Sequence, residues 1–191
     1  MDFLDLELWK QIVRGIILGA LLISGLFISI IDFKKRIIPN SLVVLWLVLG
    51  VVNLFTLGSY EEMIFPAICF GIFFVLGIVL FFLLGENKIG GGDAKLMMTL
   101  GAFMITMSHV FMFAIVSFVT ASIVFIIAKV KGIKSIPAGP VYSFSSIVPF
   151  AFCSFPWYVG VATTLIFLSV FLTSSFVLYK RDKIEPFEMV S

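Results

Sequence analysis

Long apolar runs separated by short polar or basic breaks dominate this chain. Seven can be marked: Ile12 to Ile31, Pro39 to Leu57, Met63 to Leu84, Ala94 to Met107, Val110 to Val130, Val141 to Phe155, and Trp157 to Tyr179. The runs are continuous rather than alternating, which predicts helices and argues against a β-barrel. In hydrocarbon a helix satisfies its own backbone polar groups, so the expected fold is an all-α integral membrane bundle. Most runs are near the ~20 residues needed to span a bilayer. The fourth and sixth are shorter, reaching only about 22 Å against a hydrocarbon core of about 30 Å. Both are expected inside the bundle, where water enters from one end. Pro149 interrupts the sixth run, so six spans is the alternative to the favoured seven.

Composition supports a membrane setting. Of 191 residues, 61% are hydrophobic and 13% charged, and the mean hydropathy is +1.21. No soluble domain stands out, and residues 1–191 read as a single membrane domain. The net charge of +2 is too small to suggest a nucleic-acid partner. Asp2, Asp5 and Glu7 precede the first run, unlike the basic start of a cleavable signal peptide, so the first span is expected to be retained.

The distribution of basic residues is more informative than their number. If the break after the first run faces the cytoplasm, that side holds Lys34, Lys35, Arg36, Lys88, Lys95, Lys129, Lys131, Lys134, Lys180, Arg181 and Lys183, leaving Lys10 and Arg14 opposite. This 11-to-2 partition predicts an outside N-terminus and a cytoplasmic C-terminus. Trp9, Tyr60, Trp157 and Tyr158 would form the outer aromatic belt, with Tyr179 at the inner interface.

Against this background two acids stand out. Asp32 ends the first run, and Asp93 follows the flexible run Gly90-Gly91-Gly92 at the start of the fourth. The charge rule places both at the cytoplasmic face. Gly15, Gly19, Leu22, Gly25, Ser29 and Asp32 recur at helical spacing, which predicts a close-packed face that turns Asp32 into the bundle. The glycines admit backbone angles closed to other residues, so Lys88 to Gly92 is expected to form a mobile wall of a cleft. Two aspartates held together cannot both ionise easily, which suits aspartyl proteolysis: one carboxylate takes a proton from water while its protonated partner polarises a peptide carbonyl. That chemistry needs no metal or cofactor. The plainer alternatives are that Asp32 pairs with Lys34, Lys35 or Arg36 and that Asp93 is a helix N-cap.

Asp32-Phe-Lys-Lys-Arg-Ile-Ile-Pro39-Asn40, followed by Gly90-Gly91-Gly92-Asp93-Ala-Lys95-Leu96, resembles the type IV prepilin peptidases, including archaeal preflagellin peptidases. That family pairs an Asp before an Ile-Pro-Asn turn with a Gly-x-Gly-Asp motif. The resemblance implies catalytic roles for Asp32 and Asp93, with Pro39, Asn40, Gly90, Gly91 and Gly92 shaping the active-site loops. It covers about residues 18–125, leaving 126–191 as further helices, and extends weakly to the Pro-x-Gly-Pro turn at Pro137 to Pro140. The implied activity is removal of a short basic leader from a prepilin-like or preflagellin-like membrane protein at the cytoplasmic membrane face. Longer members also carry a cysteine-rich N-terminal domain and methylate their product; this chain is similar to the short, peptidase-only form.

The remaining polar and sulfur residues read more plainly. Cys69 and Cys153 have no Cys-x-x-Cys spacing and are expected in helix packing. Lys95 reads as an interfacial anchor, His109 as a loop residue opposite the acids, and Glu86 as a loop charge. Met97, Met98, Met104 and Met107 read as core packing along the fourth helix rather than a metal site. The main competing function is a small proton-coupled transporter using the same acids, although both lie near one interface rather than the midplane. The presenilin and signal-peptide-peptidase group shares Gly-x-Gly-Asp but places a Tyr before its first aspartate, where this chain has Ile31. A catalytically silent assembly protein is a third reading, and it requires dispensable acids.

Overall fold

The computed structural model describes residues 3–35, 37–57, 59–84, 91–131 and 139–182. Among them are seven α-helices and no strand: α1 (Phe3–Lys35), α2 (Asn40–Phe55), α3 (Tyr60–Leu84), α4 (Gly91–Leu100), α5 (Met107–Lys131), α6 (Gly139–Ser154) and α7 (Trp157–Asp182). A single 3₁₀ turn, Gly101–Phe103, extends α4. Three stretches are long and apolar enough to cross a membrane, Leu8–Asp32, Tyr60–Val79 and Met107–Ile126. Asn40–Phe55, Ala94–Phe103 and Trp157–Ser169 are shorter apolar helices. The outside is apolar too, with Phe55, Phe82, Phe118 and Leu165 exposed, as expected where the solvent is lipid.

Local sequence sets the helix boundaries. Pro39 disfavours a helical conformation at the residue before it, and the chain is non-helical at Ile37 and Ile38 before α2 begins. The Pro39 carbonyl then accepts from the Leu42 and Val43 amides, at 3.1 and 3.3 Å. Pro149 does not interrupt α6, which runs unbroken to Ser154. A proline inside a helix leaves the carbonyl four residues earlier without its usual N–H, a cost here accepted within a buried element.

Helix directions follow from close contacts. α1 and α6 run antiparallel, with Gly25 beside Ser143 and Ile147 and Asp32 beside Gly139. α3 and α4 are also antiparallel, since Gly77 meets Ala94 and Met98 while Gly101 meets Cys69 and Phe70. α2 and α4 run parallel: Asn40 contacts Lys95 at one end, and Gly50 and Asn53 contact Ala102 towards the other.

The two short elements expected inside the bundle are there. α4 and its 3₁₀ turn bury Leu96, Leu100, Ala102 and Phe103, and α6 is buried at most of its positions. α6 packs against α1, α4, α5 and α7. The centre is an aromatic chain in which Phe103 meets Trp46 edge-on at 6.0 Å and Phe150 edge-on at 5.9 Å. Trp46 also donates its indole N–H to Ser24 Oγ at 2.9 Å, tying α2 to α1.

The face expected along α1 is only half a packing face. Gly25, Ser29 and Asp32 are buried, whereas an added Cβ at Gly15 or Gly19 would meet nothing within 4 Å. Near those glycines, Ile17, Leu18 and Leu21 carry the burial instead. Met98 fills the space beside Gly77 and Met104 is buried, but Met107 is exposed at the start of α5.

Candidate active site

Asp32 lies in the last turn of α1 and is only 4% exposed. Its Oδ2 accepts a 2.9 Å hydrogen bond from the backbone N–H of Gly139, the first residue of α6. The first amides of a helix lack intrahelical acceptors and carry the positive end of its dipole, so an anionic oxygen is well placed there. The approach is close enough to favour a glycine. A Cβ at residue 139 would stand 3.0 Å from Asp32 Oδ2, 3.1 Å from Asp32 Cβ and 3.1 Å from Ile28 Cγ2.

The second acid is carried by α4. Asp93 is the third residue of that helix, within its first turn. Lys95 donates from Nζ to Asn40 Oδ1 at 3.1 Å, which ties this turn to the start of α2. Asn40 directly follows the short connection from α1, so the beginning of α4 and the end of α1 occupy the same end of the bundle. Ala94 and Leu96, just beyond Asp93, are buried. Lys95 is thus a bridge between two helices as well as an exposed surface cation.

The glycine run requires a correction. Gly91 and Gly92 are part of α4 rather than a free loop, while Gly90, Lys88 and Glu86 lie outside the described residues. Pro39 and Asn40 form the start of α2 at the Asp32 end. Among the described residues, no group of three His, Cys, Asp or Glu stands together as metal ligands. A groove of about 760 Å³ opens between α5 and α6 beside this end, lined by Phe118, Ala121, Ser122, Phe125, Val141 and Tyr142 among others.

His109 is not a loop residue. It lies in the first turn of α5, 2% exposed, and shares a 2.8 Å hydrogen bond between Nδ1 and Thr106 Oγ1. It belongs to the opposite end of the bundle from Asp32. Arg14 donates there from Nε to Thr56 Oγ1 at 3.1 Å, and Thr56 Oγ1 donates to the Asn53 carbonyl at 2.7 Å. Trp9, Tyr60, Trp157 and Tyr158 are all exposed, on helix starts at that same end.

The contribution of Gly139 was missed in the sequence, where Pro137 to Pro140 stood only as a turn weakly similar to one in the family. The available signal was a glycine at the start of an apolar helix, but its partner lies 107 positions away.

Among the described residues, an all-helical bundle with three helices long and apolar enough to cross a membrane is consistent with a helical membrane protein, here with one carboxylate buried at one end. The model of the type IV leader peptidase family matches residues 17–126, more than half of the chain. The chain belongs to that family and is a peptidase of the leader-peptidase type. No curated protein and no solved structure matches it.

Proposed function

We propose that this protein is a membrane aspartyl endopeptidase that removes the short basic leader from prepilin-like or preflagellin-like precursors at the cytoplasmic membrane face, using Asp32 and Asp93. The carrying observation is a buried Asp32 at the same end of the bundle as the Asp93-bearing turn of α4. Family membership favours peptide cleavage over ion transport. The ionised aspartate takes a proton from water, and the water attacks the scissile carbonyl. The protonated aspartate polarises that carbonyl and the leaving amine is then protonated, as in other carboxylate pairs that share one proton.

The proposed topology has seven spans, an outside N-terminus and the Asp32 end in the cytoplasm. Its support is the concentration of lysine and arginine around that end and the position of the exposed aromatic residues at the other. A leader bond at the membrane surface, preceding an apolar substrate helix, would then meet the site without crossing the bilayer. Pro39 and Asn40 at the start of α2, with Gly91 and Gly92 at the start of α4, would frame this entrance.

The test is cleavage of a precursor with a basic leader and an apolar helix by membranes carrying wild type, Asp32→Asn or Asp93→Asn at matched expression. Loss of the leader with wild type alone supports the pair. Cleavage that survives either substitution removes that residue from catalysis.

A further inference from the structure

We infer that Gly139 is a positioning residue for the Asp32 carboxylate, fixing which of its oxygens faces the reaction. This rests on the aspartyl-peptidase reading above. The Gly139 N–H donates to Asp32 Oδ2 at 2.9 Å. An amide N–H can only donate, so Oδ2 is held as an acceptor by a backbone group. Gly139 is the first residue of α6, whose following turns are buried, so the donor is mounted on one of the most enclosed elements of the bundle.

The same contact explains why the residue has no side chain. A methyl at residue 139 would press on Asp32 Oδ2 and Asp32 Cβ from one direction and on Ile28 Cγ2 from another, all at 3.0–3.1 Å. At such distances a neighbour must yield by tenths of an ångström. Asp32 Cβ is fixed to its helix and Ile28 Cγ2 is branched directly from Cβ, so of the three atoms Oδ2 is the one that can rotate away. A small displacement of a catalytic group lowers turnover, because the reaction depends on alignment within a fraction of an ångström. Substrate affinity depends on a much larger surface and is little affected.

Gly25 provides an internal control. It lies on the same α1–α6 contact, where an added Cβ would fall 2.6 Å from Ile147 Cδ1, the far end of a flexible side chain. Gly25→Ala therefore crowds the same helix pair without touching Asp32.

The experiment measures kcat and KM for leader removal by the full chain in membranes. The variants are Gly139→Ala, Gly25→Ala, Asp32→Asn, and a chain in which glycolic acid replaces Gly139, exchanging the N–H for an ester oxygen without adding an atom. Expected are a fall in kcat of about tenfold for both residue-139 variants with KM unchanged, and wild-type kcat for Gly25→Ala. The ester decides the matter if the alanine variant fails to accumulate. Wild-type kcat in the ester chain, or an equal loss in Gly25→Ala, overturns the inference. Cleavage by Asp32→Asn would instead overturn the aspartyl reading on which it rests.

Discussion

At one end of the bundle, Asp32 is met by a backbone amide 107 positions further along the chain; at the other, Arg14 is met by Thr56, 42 positions away, and His109 by Thr106 within the same turn. Both ends bury polar groups inside an apolar protein, and both satisfy them in part with helix termini. They differ in what is assembled. The Arg14 end ties helix ends together: Arg14 also donates from Nη2 to the Thr56 carbonyl at 3.4 Å, and Thr56 closes on Asn53 in the last turn of α2. The Asp32 end gathers helices that are far apart in sequence: α6 meets the Asp32 carboxylate of α1, and the start of α4 meets the start of α2 beside it. Buried polarity that ties helix ends together stabilises a fold, while a buried acid held by a distant helix is better suited to chemistry.

The largest effect should separate the ends by rate. Asp32→Asn or Asp93→Asn is expected to lower leader cleavage by about 10³-fold, the scale of a lost acid–base group. His109→Gln should leave kcat unchanged, since His109 is at the opposite end. A severe loss of kcat in His109→Gln, in protein that remains folded, would break the comparison.

The helices were legible in the sequence because apolar runs and hydrocarbon-facing helices have one cause. The second run, Pro39 to Leu57, became Asn40–Phe55, and the sixth, Val141 to Phe155, became Gly139–Ser154. The fourth was misread in its second half. Its apolar run continues to Met107, but the α-helix stops at Leu100 and the backbone at Met104 turns to φ −87°, ψ 79°. Burial made that turn apolar, and hydropathy cannot distinguish a buried turn from a buried helix. Thr106 then starts α5 by accepting the His109 and Val110 amides, and this brings His109 into the interior. Asp32 was legible because an acid at the end of an apolar run is costly; its amide partner was not, because a backbone N–H has no sequence signature.

The next effects concern stability and should fall mainly at the Arg14 end. Gly101→Ala places a Cβ 2.6 Å from Phe70 Cα and also against the Cys69 backbone. Backbone cannot rotate away, so α3 and the 3₁₀ turn must separate. A loss of about 3 kcal/mol is expected in unfolding measurements, with near-normal kcat in whatever protein remains folded. Thr56→Val keeps the shape but removes the Oγ1 acceptor of Arg14. It should cost about 1 kcal/mol, because a half-buried charge loses one of two hydrogen bonds to Thr56, again without a change in kcat. If either variant slows cleavage as strongly as an Asp32 substitution, the two ends are coupled and the division fails.

The smallest effect tests the layer between the ends. Trp46 is fully buried between α1 and the 3₁₀ turn, and its Nε1 donates to Ser24 Oγ. Trp46→Phe removes that donor and some ring volume while retaining an aromatic edge for Phe103. Ser24 is not stranded, since its hydroxyl still donates to the Ala20 carbonyl at 2.6 Å. Only the net value of one hydrogen bond and a small packing defect are lost, about 1–2 kcal/mol by thermal unfolding. Ser24 and Asp32 are both on the buried side of α1, two turns apart, so a shift of α1 caused by the defect would also displace the carboxylate. Unchanged kcat together with a lowered Tm would mean that the Gly139 contact holds Asp32 in place independently of the packing beneath it. A parallel fall in both would mean that α1 moves as one rod and that the Asp32 end takes its geometry from the core.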